Sequence, residues 1–337
     1  MSATAINVPA DLPRLPARPR EGHKGTFGTV AVIGGRVPRL SESGGQMMLG
    51  APVLAATAAL RSGVGLVKLV MPGPILAAGL TICSSATGIV LPVDAETSEI
   101  IAHDAARTID ELLAHQGVDA IAIGPGMGTS EGAKAATLRV IQQEQVAIVV
   151  DADALNCLSA MPDLFRDFHA AAVLTPHPGE FKRLCAGLGL KGDLGLAQSR
   201  EGACEQLAQR LGRILVLKGS GTVVSDGLRT WTCPSGHPAL ATGGTGDVLS
   251  GIIAGLIAQF CSTPQMMLMR AKVPAMPADP LRPLDLYDAA RLGVWVHGVS
   301  GEEWARSHHA SGGLLAMEVA GQVPAILEML RTSVSIE

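Results

Sequence analysis

Aromatic side chains are scarce in this 337-residue sequence: phenylalanine, tryptophan and tyrosine make up 3% of it, and tyrosine occurs once. The core of a chain that is 47% hydrophobic must then be built from alanine, valine, isoleucine and leucine, which suits parallel sheets covered by helices. There is no run of lysine or arginine and the formal net charge is -4, which argues against nucleic acid or an anionic membrane surface as main partner and leaves room for a small anionic ligand. The six cysteines, Cys83, Cys157, Cys185, Cys204, Cys233 and Cys261, lie far apart without a C-x-x-C pair. Neither a zinc nor a disulfide framework is indicated, and reduced core thiols in a cytoplasmic protein are expected. A G-x-x-x-x-G-K-[ST] sequence is also missing, so the chain is not a P-loop protein. Without a repeat of solenoid length or a change in composition along the chain, one domain is the simplest organisation.

Residues 1–22 lack the apolar segment of a secretory signal and, rich in proline and arginine, read as an extended arm wrapping the surface. Val248 to Met269 carries no charge, which raises the question of a membrane span, but Gly251, Gly255, Gln259, Ser262, Pro264 and Gln265 interrupt it. A buried helix ending near Phe260 is expected instead. Elsewhere short β-branched runs (TVAVIGG, GLVKLV, GIVLP, DAIAIGPG, VAIVVDAD, AAVLTPHPGE, ILVLKG) alternate with helical stretches, which gives a mainly parallel sheet with helices on both faces. TVVSDGLRTWTC adds a hairpin around Asp-Gly, expected as an antiparallel edge. Residues 261–283, with five prolines and a methionine cluster, read as a loop insertion.

The stretch from His237 to Phe260, HPALATGGTGDVLSGIIAGLIAQF, sets Gly243, Gly244 and Gly246 at the start of a helix and one carboxylate, Asp247, in its first turn. A glycine-rich turn opening a helix exposes N–H groups at the positive end of the helix dipole, where they can hold phosphate oxygens without a cationic side chain. Alone, the pattern reads equally well as a plain helix start with a favourably placed acid. Gly251 and Gly255 share the face of Asp247 and each costs about 1 kcal/mol relative to alanine, so something is expected to approach that face closely. Leu249, Ile252, Ile253, Leu256 and Ile257 cover the remaining circumference, which buries the helix and opens its tip into an interior cleft. A phosphate held beside Asp247 would raise its pKa and suit it to take a proton from a substrate hydroxyl while the N–H groups hold the transferring phosphoryl group.

GTGDVLSG resembles the anion-hole and base motif of the ribokinase-like superfamily. Together with HKGTFGTVAVIGG, GAPVLAATAALRSGVG, IGPGMG, LTPHPGEF and VLKGSGT, in that order from about His23 to the last helix, the chain resembles the ADP/ATP-dependent NAD(P)H-hydrate dehydratases. The resemblance implies an α/β fold, a ribokinase-like three-layer α/β/α sandwich with a mainly parallel central sheet and an antiparallel edge, in a single domain over residues 23–335. It implies a lyase for metabolite repair, acting on the S epimer of NADH or NADPH hydrated at C6, with ADP or ATP as co-substrate and Mg²⁺. The ring hydroxyl is phosphorylated as in a kinase, and phosphate leaves as the double bond re-forms. The family pattern places nucleotide contacts at Lys218, Gly219, Ser220, Gly221, Thr222 and Gly246, the anion hole at Gly244, Thr245 and Gly246, and the hydrate beside Ala51, Gly126, His177 and Asp247, with Asp247 catalytic. It further implies a homotetramer. Many relatives carry an epimerase domain ahead of this one; only residues 1–22 precede the motif here, so an NAD(P)H-hydrate epimerase on a separate chain is expected.

Plain alternatives stand beside these assignments. The turn after ILVLKGSGT also reads as an ordinary hairpin turn, and IGPGMG as a tight βα turn. His177, between Pro176 and Pro178, orients the nicotinamide amide or ribose, or is a solvent-facing turn residue. Glu180 caps the following helix or helps hold Mg²⁺ through water. Asp151 could position Mg²⁺-bound nucleotide, whereas Asp153 reads as a helix N-cap. Gly50 and Ala51 admit the nicotinamide half or simply pack on the sheet. His23 and Lys24 could reach substrate phosphates, and His297, on an apolar helix, reads as structural. His237 stands where the family pattern has asparagine, and a weaker turn or an altered hydrogen bond is expected. Two other functions compete: a small-molecule kinase of the same superfamily, acting on a vitamin precursor or sugar alcohol, and a nucleotide-binding module without catalysis, against which the presence of both Gly246 and Asp247 argues.

Overall fold

In the computed structural model, which describes residues 6, 8–38, 45–115, 117–161, 164–190, 199–262 and 279–331, the short aliphatic runs form one nine-stranded sheet. Its strands are β1 (Thr29–Ile33), β2 (Leu66–Pro72), β3 (Thr87–Leu91), β4 (Ala120–Ile123), β5 (Ala147–Val150), β6 (Ala172–Leu174), β7 (Ile214–Leu217), β8 (Val223–Ser225) and β9 (Thr230–Thr232), in the order 3-2-1-4-5-6-7-8-9. All pairs from β3 to β7 are parallel; β8 and β9 close the edge as an antiparallel hairpin. The helices are α1 (Gly50–Arg61), α2 (Gly73–Ile82), α3 (Ala102–His115), α4 (Glu131–Gln142), α5 (Ala152–Ser159), α6 (Leu164–Asp167), α7 (Pro178–Gly187), α8 (Arg200–Leu211), α9 (Thr245–Phe260), α10 (Leu286–His308) and α11 (Ala316–Leu330).

Strand parity divides the core in two. Val30 and Val32 of β1 face the cluster built with α1, α2, α9, α10 and α11, while Ala31 and Ile33 face the one built with α3, α4, α5, α7 and α8. This is the three-layer sandwich expected from the alternation of strands and helices.

The close approach anticipated on the face of Asp247 is made by α1. A Cβ added at Gly251 would stand 2.1 Å from the carbonyl oxygen of Ala55, and one at Gly255 would stand 1.9 Å from the Ser62 Oγ. Gln259 Nε2 then donates to the carbonyls of Ser62 (3.0 Å) and Gly255 (2.8 Å). Helix contact, not a ligand, explains these glycines. Gly251→Ala is expected to lower unfolding stability by about 1–3 kcal/mol in denaturant titration, because backbone rather than a movable side chain blocks the methyl. An unchanged midpoint would show that α1 and α9 can separate freely.

The described part of the arm is docked rather than loosely draped. Leu15 is fully buried and its N–H donates to the Leu330 carbonyl at 2.8 Å, while Asp11 pairs with Arg291 at 2.6 Å. The expected helix from the opening glycines to Phe260 is α9, and no helix among the described residues is long and apolar enough to cross a membrane. All six cysteines are free and buried. The expected loop insertion lies mostly outside the described residues; at its borders Cys261 bridges to Leu284.

One expectation fails. His23 caps a short 3-10 turn over Lys24–Phe27, the Lys24 carbonyl lies where a Cβ of Gly65 would fall, and Gly28 abuts Ala258 near the far end of α9. His23 and Lys24 therefore stand at the amino ends of the strands, removed from the tip of α9 by about 20 Å, the rise of the helix from Thr245 to Ala258. They do not reach phosphates held at that tip of the same chain.

Candidate active site

Parallel strands deliver their carboxyl ends to one rim, and α9 points its N-terminus at the same rim. Gly244, the N-cap of α9, has φ 91° and offers no side chain, so the Gly246 amide donor is left for a ligand, while the Thr245 N–H makes a long contact of 3.5 Å to the Thr242 carbonyl. A Cβ on Gly244 would stand 2.5 Å from Leu54 Cδ1, which holds the tip against α1 one turn beyond Ala51. The Thr245 hydroxyl turns inward, 2.9 Å from the Leu240 carbonyl and 3.0 Å from that of Thr242. Thr245 thus offers a ligand its backbone alone. Beneath it His297 Nε2 lies 2.9 Å from the Thr245 carbonyl and must be its donor. Burial pushes the His297 pKa down to about 4, so the ring is neutral. The structural role expected for His297 is a specific one: it fixes the tip of the helix.

A chain of charged and polar groups lies behind the tip. The Lys218 ammonium, at the end of β7, is 2.7 Å from Asp151 Oδ1 and 4.0 Å from Glu180 Oε2, and a Cβ on Gly246 would be 3.3 Å from it. The ammonium thus stands at the anion site itself. Desolvation works against its charge, but Asp151 and Glu180 outweigh it and the Lys218 pKa is raised. Ser250, one turn on from Gly246, donates to Asp151 Oδ2 at 2.5 Å. Both oxygens of Asp151 are therefore occupied in holding α9 to β5 and β7.

Asp247 sits in this field with its pKa raised to about 7, by burial first and then by Asp151, Asp153 and Glu180, with partial relief from Lys218. Glu180 is also raised to about 7, chiefly by burial. Its Oε2 accepts the His177 N–H at 2.8 Å, while His177 Nδ1 accepts from Gly179 (2.9 Å) and Glu180 (3.4 Å), a reciprocal cap on α7. Desolvation, with Lys218 and Arg183 nearby, lowers the His177 pKa, which keeps Nδ1 available as acceptor. His237 caps the short 3-10 turn over Pro238–Leu240, its Nδ1 accepting from the Ala239 N–H at 3.2 Å.

The N-cap reading of Asp153 is incorrect. Asp151 holds the N-cap position of α5, without a side-chain cap bond, and Asp153 lies inside the first turn. Between them Ala152 has φ 47°, a left-handed conformation that non-glycine residues avoid. The turn sends Asp151 to Lys218 and Asp153 to the Gly128 N–H, which Asp153 accepts at 2.8 Å. Asp153 thereby steadies the turn that contains Gly126. A Cβ on Gly126 would be 3.4 Å from the Ala51 Cβ and 2.9 Å from that of Met48, so two of the residues expected beside the hydrate are neighbours. Gly124, in the same turn, is packed against the Asp151 carbonyl, which is the ordinary tight-turn role.

Residues Lys218 to Thr222 form the link from β7 to β8, with Gly219 at φ 147° and Gly221 at φ 62°. Arg200, which sequence reasoning did not single out, donates to the carbonyls of Leu217 (3.1 Å), Lys218 (3.1 Å) and Ser220 (3.2 Å). One guanidinium thus holds the shape of the whole link. No local signal names the partners of Arg200, Ser250 or His297, because each meets its partner well along the chain.

The family profile described as NAD(P)H-hydrate dehydratase matches residues 43–324. The chain is 33% identical to a bifunctional NAD(P)H-hydrate repair enzyme of Moorella thermoacetica, over 95% of this chain and 53% of that protein. It is 34% identical to an ADP-dependent (S)-NAD(P)H-hydrate dehydratase of Neisseria meningitidis serogroup B, over 90% of this chain and 86% of that protein. It spans about half the length of the bifunctional relatives. The ADP/ATP-dependent NAD(P)H-hydrate dehydratase from Bacillus subtilis, co-crystallized with ATP and Mg²⁺, superposes with a TM-score of 0.68 at 26% identity, covering 96% of this chain and 100% of that one. A ribokinase-like superfamily protein from Enterococcus faecalis gives the same TM-score at 22% identity, a likeness of fold. With a profile match across most of its length and relatives above 30% identity, the chain belongs to the NAD(P)H-hydrate dehydratase family.

Proposed function

We propose that this chain regenerates NADH and NADPH from the S epimers of their C6 hydrates, with ADP or ATP as phosphoryl donor. The observation that carries this reading is the placing of Asp247, with a pKa pushed to about 7, at the uncapped glycine tip of α9 beside the Lys218 ammonium. Such a tip holds the terminal phosphoryl group through the N–H groups of Gly244, Thr245 and Gly246, and Lys218 meets the charge that builds on it. Gly219, Ser220, Gly221 and Thr222 carry the rest of the nucleotide, while the hydrate lies against Ala51, Gly126 and His177.

The Asp247 carboxylate removes the proton of the C6 hydroxyl as that oxygen bonds to the terminal phosphorus. The bond to the departing nucleotide breaks, leaving AMP from ADP or ADP from ATP. The ring nitrogen's electron pair then expels phosphate from C6, and loss of a C5 proton re-forms the ring double bond. Hydrate and nucleotide thus become NAD(P)H, inorganic phosphate and the shortened nucleotide. A bound Mg²⁺ supplies charge neutralisation on the polyphosphate. Asp151 and Glu180 fit it only through water, because Asp151 is engaged by Lys218 and Ser250 and Glu180 by the His177 backbone.

Hydrated NADH or NADPH is incubated with each nucleotide, and return of the dihydronicotinamide absorbance is followed together with phosphate release. One phosphate per restored dinucleotide is expected. Accumulation of a stable phosphorylated ligand would favour the small-molecule kinase, and binding without turnover the non-catalytic module. Arg200→Ala is expected to raise the KM for the nucleotide about tenfold while the KM for the hydrate stays put, since three carbonyl contacts of the link are lost. Equal rises in both would deny it that selective role.

Residues 23–335 as one catalytic domain behind the arm of residues 1–22, a homotetramer, and action alongside an NAD(P)H-hydrate epimerase complete the proposal on the family pattern. Light scattering on the full chain reads the oligomer directly. The six free, buried thiols support a reducing cytoplasm as its compartment.

A further inference from the structure

The carboxyl-end rim has two halves, and the phosphoryl chemistry uses the half formed by β5, β6, β7 and the tip of α9. In the other half a cavity of about 190 Å³ opens between Arg36 after β1, Pro72 at the end of β2, Ser98 ahead of α3, and Met127, Thr129 and Ser130 before α4. The turn that carries Gly126 connects the halves. Gly126 faces Ala51 and Met48, and Gly128 faces Arg36: a Cβ on Gly128, whose φ is 73°, would stand 2.9 Å from Arg36 Cδ. A ligand resting on Gly126 therefore meets Arg36 two residues further on, within about 7 Å of chain.

Arg36 has donors to spare. Its Nη2 reaches the Gln46 carbonyl at 3.3 Å, while its Nε is buried with no hydrogen-bond partner among the described residues. A buried guanidinium N–H left without an acceptor is costly, and an anionic oxygen would relieve it. Ser130 caps α4, so the positive end of a 12-residue helix borders the same cavity. Glu99 borders it too and has an interaction of its own. The dehydratase reading puts a reduced nicotinamide at Gly126, and a dinucleotide carries its phosphates beyond that ring.

Resting on that reading, we infer that Arg36 and this cavity hold a phosphate of the dinucleotide's distal part, either the pyrophosphate or the 2′-phosphate of NADPH. Arg36 is then a specificity residue for the substrate and has no part in phosphoryl transfer.

The test titrates NADPH, NADH and ADP separately onto the full chain and onto Arg36→Ala and Arg36→Lys. Arg36→Ala is expected to weaken NADPH at least about tenfold while ADP stays within about twofold, with Arg36→Lys between, because the lysine keeps the charge and loses the fork. Weakening of NADPH alone assigns the 2′-phosphate, and equal weakening of NADH assigns the pyrophosphate. Unchanged affinity for both dinucleotides, a matching loss for ADP, or no NADPH binding by the wild-type chain would overturn the inference. Wild-type hydrate turnover is measured alongside. Its absence would overturn the dehydratase reading, while the titration decides Arg36 separately.

Discussion

Asp247→Asn is expected to lower kcat by about 10²- to 10⁴-fold, the range that a positioned general base supplies, while nucleotide affinity is largely kept. The amide fills the same space at the tip of α9 and leaves the N–H groups of the anion site in place, so only the proton acceptor is lost. The same assignment fixes a pH profile. With a pKa of about 7, Asp247 is protonated and idle below neutrality, so kcat/KM should rise with pH through about 7 and then level. A bound phosphate repels the carboxylate and moves the midpoint of kcat further upward. In Asp247→Asn the residual rate should lose that limb. Substantial turnover by the variant with the limb intact would assign the base elsewhere.

Lys218→Met is expected to lower kcat/KM by about 10²- to 10³-fold, as the loss of one donor to developing charge does, and to weaken nucleotide more than hydrate in calorimetry. It should also destabilise the fold by about 3–5 kcal/mol, because Asp151 is left buried without its counter-charge and Ser250 alone cannot replace it. The two effects separate in the double variant Lys218→Met with Asp151→Asn: removing the orphaned charge should restore much of the stability and none of the turnover. Recovery of turnover would mean that Lys218 acts only as a strut. Equal losses for nucleotide and hydrate would contradict the division of the rim between them.

What could be read from the sequence follows from how local each signal is. The strands of the parallel sheet and the limits of α9 are written in short aliphatic runs and in the glycines at the helix start. Gly251 and Gly255 announced a close neighbour, although nothing near them names α1 as that neighbour. α2 opens on Gly-Pro and carries Gly79, residues that more often mark turns, whereas the helices α5 and α7 are announced by the acids Asp153 and Glu180 that follow the strand ends. Asp153 was misplaced because the left-handed Ala152 lets Asp151 take the N-cap position, a backbone choice with no residue-type signature. That His23 and Lys24 stand away from the carboxyl-end rim is not legible, because a charged pair before a strand does not say which rim it occupies. Ser250 on Asp151, His297 on Thr245 and Arg200 on the Lys218 link are contacts across long stretches of chain.

The most direct measurement is a crystal structure of the full chain with nucleotide and Mg²⁺. The terminal phosphate is expected within hydrogen-bond distance, about 3 Å, of the Gly246 N–H and the Lys218 ammonium, with the Asp247 carboxylate facing the open side of that phosphate. A terminal phosphate bound away from the tip of α9, or an Asp247 side chain turned from it, would contradict the assignment of both.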